Sequence, residues 1–366
     1  MKIGIVTFHS GINYGAVLQA YALQTYLQKA GHEPFFINYK YCWYVPIYNP
    51  RAWLSRTPRG VFNKINGNIL RNVFNTFREK HLILGSSKYI SLDELLNTPP
   101  VADGYICGSD QVWNPNAIHK NDESAVWLGF GNETVRRISY AASFSVPDLD
   151  TGIRERWSGY AQRFYAIGVR EKDGIDLVKK LGRNDAVWVP DPTLLLDASE
   201  YSAVEVKLKE PHVPYSFSYM LGTDNNELAS DITKTVSEKL RVKQFASHPY
   251  SLSHNIFDSG FVGPAEWLTR LHLSDFVVTN SFHGLMFSLI FRRPFIILLR
   301  AQKEAEMNSR FISILEVVGL QNRAVSAYDS AQIERLCREE IDWDLVHARL
   351  NVFREKGCQY IREALA

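Results

Sequence analysis

Short apolar runs alternate along this chain with longer amphipathic stretches, and most runs end in a polar or glycine-containing loop. Ile3 to Phe8 reads as a buried strand that opens into the loop His9 to Gly15. The next stretch places Ala16, Ala20, Leu23, Leu27 and Ala30 on one stripe, with Gly31 as a stop, and so predicts a helix. Further short strands are predicted at Phe35–Tyr39, Gly104–Cys107, Ile138–Ala142, Tyr165–Val169 and Val187–Val189. A second series begins near Tyr215 with the strand Ser216–Met220, a helix near Asn225 to Leu240 and a strand from Val242 to Ala246. It continues with a helix from Pro264 to Leu273, a strand over Phe276–Thr279, an apolar helix ending before Arg292, and a strand at Phe295–Leu299. Strands alternating with helices predict parallel sheets of α/β type.

A chain of 366 residues accommodates two such units. The boundary falls within Asp197–Glu210, giving a first domain over 1–200 and a second over 201–343. A last helix over 344–366 is expected to pack back on the first domain. Open α/β sheets bind ligands beyond the carboxyl ends of their strands, where the polar loops stand. Two Rossmann-like domains facing a central cleft would gather those loops, which is a GT-B-like arrangement.

Composition narrows the setting. Apolar content of 46% is globular, and no segment reaches the roughly 20 unbroken apolar residues of a membrane helix. Met1-Lys2 leads directly into a strand rather than a signal peptide. Cys42, Cys107, Cys337 and Cys358 are scattered without metal-ligand spacing, so reduced core thiols and no metal site are expected in a cytoplasmic protein. Net charge is only +2, but Pro34 through Arg78 holds no acidic residue and interleaves arginines and lysines with aromatics. Two readings of this stretch stand: ordinary packing, or peripheral contact of 39–80 with an anionic membrane face or lipid-linked acceptor. No nucleic-acid motif accompanies it.

The loops supply the candidate chemistry. Gly11-x-x-x-Gly15 lacks the G-x-G-x-x-G spacing, and no carboxylate follows the second strand, so NAD is not expected. Asn13, beside Tyr14, is either an acceptor contact or a turn residue. Asp110, with Gln111, Trp113 and Asn114 close behind, reads as a sugar-binding or acid–base site, or else as a cap. Arg170 follows an apolar strand and either clamps an anion or forms a surface ion pair with Glu171 or Asp173. His283 stands at a helix start beside Asn280 and Ser281, both good N-cap residues, where partial positive charge favours a phosphate or carboxylate. The alternative is a satisfied core histidine. Arg300, and Arg310 in its Asn308-Ser309 context, are candidates to complete an anion clamp.

Taken in order, Asn13 to Leu23, Gly108 to Asn114, Val169-Arg170-Glu171, Asp191-Pro192-Thr193 and Ser281-Phe282-His283-Gly284 resemble the polysaccharide pyruvyl transferase family. The resemblance implies a GT-B-like fold and transfer of a pyruvyl group from phosphoenolpyruvate to a sugar, with a cyclic ketal as product and no further cofactor. It also implies that Asp110, Arg170 and His283 occupy active-site positions. Members of the family often carry a basic residue two positions before the histidine, where this chain has Ser281, so Arg300 or Arg310 would have to supply that charge. On this reading His283 transfers a proton or binds phosphate, Asp110 meets the acceptor hydroxyl, and Arg170 and Arg310 hold the donor. The rival readings are a nucleotide-sugar glycosyltransferase using the same cleft, and a carbohydrate-binding protein that has lost catalysis.

Overall fold

The computed structural model describes residues 1–41, 58–208, 213–222, 226–247, 262–300 and 308–366, with the backbone alone for 58–66 and 226. The first half is a parallel sheet of strands β1 (Lys2–Val6), β2 (Glu33–Tyr39), β3 (Leu84–Tyr89), β4 (Gly104–Cys107), β5 (Arg136–Ala142), β6 (Ala166–Val169) and β7 (Val187–Trp188). Their spatial order is β3-β2-β1-β4-β5-β6-β7. The second half is a parallel sheet of β8 (Tyr215–Tyr219), β9 (Lys243–Ser247), β10 (Phe276–Thr279), β11 (Phe295–Leu298) and β12 (Ala324–Val325), in the order β12-β11-β10-β8-β9. These are the two common doubly wound orders, so the chain is α/β with two Rossmann-like domains. Each order reverses at one place, between β1 and β4 in the first sheet and between β8 and β10 in the second. Ligands bind in the crevice at such a reversal.

The strands form where β-branched and aromatic side chains meet apolar cover on both faces: β4 and β10 are buried at every position. The helix Tyr14–Lys29 starts on an Asn13 side chain that accepts from the Ala16 amide. It is buried along most of its length rather than on one stripe, because it lies between the two halves. A single apolar cluster runs from Ile5 and Leu18 of the first half through Tyr14 and Trp267 to Phe287 of the second. Tyr14 is stacked on Trp267 at 5.2 Å and 12°, and its hydroxyl donates to the Val262 carbonyl at 2.9 Å.

The last helix, Trp343–Leu365, ties the halves together from outside. Near its start His347 Nε2 lies 2.9 Å from the Leu289 carbonyl, and Arg349 donates to the Val318 carbonyl at 2.8 Å. Further along, Arg354 donates to Leu194 and Leu196, and the Tyr360 hydroxyl donates to the Ser139 carbonyl at 2.8 Å. The helix therefore begins on the second domain and ends on the first.

Residues 42–57 of the basic, aromatic stretch lie outside the described residues. In the described part Tyr39, Tyr41, Phe74 and Phe77 are all buried, which is the packing reading of those aromatics. No helix among the described residues is long and apolar enough to cross a membrane. Cys107, Cys337 and Cys358 are unpaired thiols, and Cys42 lies outside the described residues.

Candidate active site

Four strand ends meet at one place. The β10 strand turns at Asn280-Ser281 into the helix Phe282–Ile290, whose start is fixed by the Ser281 hydroxyl accepting from the Gly284 amide at 3.3 Å. Asn280 takes no part in that cap. Its amide group is bonded to the Leu221 amide and carbonyl at 2.7 and 2.9 Å, which ties the end of β10 to the end of β8. Both residues thus help to hold the turn that presents His283.

The His283 ring is directed across the domain boundary. A Cβ added to Gly15 would overlap its imidazole at Nδ1 and Cγ, so only glycine admits the ring at the start of the first helix. On its other side Nε2 lies 3.6 Å from Asp191 Oδ2 and has no hydrogen-bond partner among the described residues. Asp191 follows β7 and has no exposed side-chain surface. Its Oδ1 accepts from the Thr193 amide and hydroxyl at 3.0 and 2.8 Å. Its Oδ2 accepts from the Ser109 hydroxyl at 2.9 Å and from Arg170 Nη1 at 3.3 Å. Burial opposes ionisation of this carboxyl, but His283, Arg170 and the Thr193 amide outweigh it and hold the group well below the usual carboxylate range.

Arg170 is the centre of the charge network. Its side chain is only 1% exposed, and besides Asp191 it faces Asp110 Oδ1 at 3.7 Å and Glu171 Oε2 at 3.8 Å. Its guanidinium lies over the Phe282 ring at 4.7 Å, and that of Arg310 approaches the same ring at 5.9 Å. Nε and Nη2 of Arg170 and Nε of Arg310 are buried without a hydrogen-bond partner among the described residues. Burial, with the charges of Arg170 and Arg300, pushes Arg310 down to about 9 against the opposing pull of Asp110 and Glu171. Among the described residues the pocket sets three arginines, Arg170, Arg300 and Arg310, against three carboxylates, Asp110, Glu171 and Asp191.

Asp110 reaches this network through an unusual backbone. Its φ is 71°, a left-handed conformation that aspartate tolerates better than most residues, and it bridges to Ala142 at the end of β5. Ala141 near the end of β5 and Ser145 in the turn that follows also have positive φ, at 55° and 52°. Glu171 organises that turn: its Oε1 accepts from the Ser143 hydroxyl and from the Phe144 and Ser145 amides at 2.7 to 3.0 Å. Backbone strain of this kind clusters at active sites, and here it lies beside buried charge.

The structure therefore brings Asp110, Arg170, His283 and Arg310 together, with Arg300 near Arg310, and gives several other candidates packing or capping roles. Tyr14 belongs to the core between the domains and offers no free hydroxyl. Trp113 is fully buried, stacked on Trp127 at 4.1 Å and 4°, because the turn after Asp110 folds back into the first domain. Asn114 caps that turn by accepting from the Asn116 amide, and its amide donates to Gln111. Gln111 is half-buried at the turn's start. Asn13 serves as the helix cap already described. Asn308 grips the Arg300 backbone through two bonds of 2.9 Å, which sets where Arg300 leaves its strand. Asp191 and Glu171 are the additions: the sequence marks both within recognisable segments, but not as members of the site.

A model of the family described as polysaccharide pyruvyl transferase matches residues 13–301. The chain belongs to the polysaccharide pyruvyl transferase family. The matched span runs from the Asn13 cap through Asp110, Arg170 and His283 to the end of β11. No curated protein matches this family member by sequence. Solved structures resemble it in fold at low identity. One is UGT89C1 of Arabidopsis thaliana complexed with quercetin, at 11% identity and TM-score 0.45, covering 98% of this chain and 94% of that one. Another is MnaA of S. aureus with UDP, at 11% identity and TM-score 0.48, covering 100% and 96%. A third is the UDP-GlcNAc 2-epimerase of Methanocaldococcus jannaschii, at 12% identity and TM-score 0.47, covering 93% of each chain.

Proposed function

We propose that this chain transfers the pyruvyl group of phosphoenolpyruvate to two hydroxyls of one sugar in a polysaccharide or glycolipid precursor, forming a cyclic ketal. The observation that carries this reading is the set of buried guanidinium N–H groups of Arg170 and Arg310 around Phe282 that have no hydrogen-bond acceptor among the described residues. Buried donors without acceptors are costly, and a donor substrate with a carboxylate and a phosphate supplies acceptors of the right charge. Arg310 takes the place of the basic residue that position 281 lacks, and Arg300, held by Asn308, stands beside it.

In the proposed sequence a proton is delivered to the methylene carbon of the donor, which becomes a methyl group, and the adjacent carbon takes on oxocarbenium character. One sugar hydroxyl adds to that carbon, phosphate departs with its bonding electrons, and the second hydroxyl closes the ketal. Of the two hydroxyl protons, one balances the proton placed on the methyl group and the other leaves with phosphate. His283 is assigned the proton transfer to the donor or the departing phosphate, and Asp110 the acceptor hydroxyl. The arginines stabilise the charge on the leaving group. No resident cofactor or metal enters these steps.

Incubating the protein with phosphoenolpyruvate and a panel of free and lipid-linked glycosides, read by phosphate release and by product mass, tests the reading. A ketal-bearing product with matching phosphate supports it, and His283→Ala should lose the activity. Equal turnover of His283→Ala and wild type rejects the assignment of the histidine, and absence of product from every acceptor rejects the reaction.

A further inference from the structure

Asp191 touches two of the groups to which the proposed reaction assigns work, and it touches them through one oxygen. Oδ2 is 3.3 Å from Arg170 Nη1 and 3.6 Å from His283 Nε2, while Oδ1 is tied to the Thr193 amide and hydroxyl and so cannot swing away. The Thr193-Asp191 turn is in turn fixed by Tyr201, whose hydroxyl donates to the Thr193 carbonyl at 2.8 Å. Arg170 comes from the first domain and His283 from the second, so a first-domain carboxylate sets where a second-domain histidine stands. We propose that Asp191 is the positioning residue of the site, one fixed anion that aligns the proton-transferring imidazole with the guanidinium that clamps the donor. The role assigned to His283 rests on the proposed pyruvyl transfer, but the alignment itself does not.

Three features set this carboxylate apart from an ordinary buried ion pair. First, it has no exposed surface, so its field acts on His283 with little screening by water. Second, four donors from its own domain satisfy it without the histidine, so it stays ionised when the imidazole changes state. Third, the 3.6 Å gap to Nε2 is too long for a hydrogen bond and shortens only if the ring shifts toward it, as it would when the histidine carries a proton. The other charged groups of the pocket are Arg170, Asp110, Glu171, Arg300 and Arg310, and a substitution at position 191 alone removes none of these charges.

Asp191→Asn keeps the size and removes the charge. It also turns an N–H donor toward the donors of Arg170 or His283. Without the negative charge the imidazole gives up its proton more readily. The alkaline limb of the kcat/KM profile for phosphoenolpyruvate then moves to lower pH, and kcat falls on the order of 100-fold. A residue with a merely structural role lowers the amplitude and leaves the limb where it was. The experiment compares full-length wild type, Asp191→Asn and Ser109→Ala by activity against pH and by NMR titration of labelled histidine rings, with His283 identified through His283→Gln. Ser109→Ala strips one donor from Oδ2 and keeps the charge, so it leaves the His283 titration in place or moves it to higher pH. Displacement of that titration to lower pH in Asp191→Asn supports the proposal. An unmoved titration in Asp191→Asn, or a shift to lower pH in Ser109→Ala, overturns it. Should Asp191→Asn not fold, the direction in Ser109→Ala decides. If wild type turns over no acceptor, the pyruvyl-transfer reading fails while the ring titration still judges Asp191.

Discussion

Gly15 and His283 are in such close contact that the glycine has no room for a side chain: the imidazole of the second domain fills the space where a Cβ of the first would stand. This contact makes the start of the first helix one wall of the candidate site. The prediction is that Gly15→Ala displaces the ring from its present position beside Asp191. Displacement of a reacting group by about 1 Å costs on the order of 100-fold in rate, while overpacking costs about 1–3 kcal/mol in stability. Activity and thermal unfolding measured on the same preparation check both. Unchanged activity would mean that the ring has no catalytic position to lose.

Tyr14 lies one residue earlier and carries a different prediction. Its ring is packed against Trp267, Phe74 and Tyr219, and its hydroxyl meets the Val262 carbonyl. Tyr14→Ala should lose about 3–5 kcal/mol of stability through the cavity it leaves. Tyr14→Phe should lose about 1–2 kcal/mol through the unpaired carbonyl. Neither should change the KM for phosphoenolpyruvate by more than about twofold where the protein is folded, because the hydroxyl is turned into the core. Denaturant unfolding and steady-state kinetics test this.

Arg310 should trade stability for binding. Its proton is held less tightly in the folded protein than in free arginine, so the charged group lowers stability at every pH below about 9, and the penalty recedes as the pH rises through that value. Arg310→Met is therefore expected to be as stable as wild type or up to about 2 kcal/mol more stable in anion-free buffer at neutral pH. Inorganic phosphate at roughly 100 times its Kd should stabilise wild type by about 2.7 kcal/mol, and the methionine variant far less. Equal stabilisation of the two proteins by phosphate contradicts the clamp.

Acid should weaken the site through Asp191. Its carboxyl ionises at lower pH in the folded chain than in the unfolded one, so its contribution to stability is complete above the unfolded value of about 4 and is lost as the pH falls below it. Asp191→Asn should accordingly unfold with a flatter dependence on pH below about 4 than wild type does. Parallel pH-stability curves for the two proteins would count against the depressed carboxyl.

The architecture was legible because alternation of apolar runs and amphipathic helices reports on local burial, and burial on both faces is what a parallel sheet imposes. The histidine unit was legible for the same reason, since Phe276 to Thr279 and the apolar helix after Ser281 leave one short turn between them. What could not be read was which neighbour each turn residue would find. Asn280 and Ser281 are equally good caps in sequence, and only the start of the helix at Phe282 assigns the cap to Ser281 and frees Asn280 for Leu221. Tyr14 and Trp113 stand next to polar loops as binding aromatics do, yet their partners Trp267 and Trp127 are fixed by tertiary packing. Asp191 follows a strand of only two residues, and Ser109, Arg170 and His283 reach it from three other strand ends. The strand β3 is mostly exposed and polar, so no apolar run announces it.

Titration calorimetry of phosphoenolpyruvate into wild type, Arg170→Met and Arg310→Met tests most directly that the buried guanidinium groups form the donor site. The account predicts saturable binding to wild type, weakened at least about tenfold in each variant, since a lost hydrogen bond to a charged group costs about 1.5–3 kcal/mol. Equal affinity in all three proteins, or binding of uridine diphosphate with no response to phosphoenolpyruvate, would contradict it.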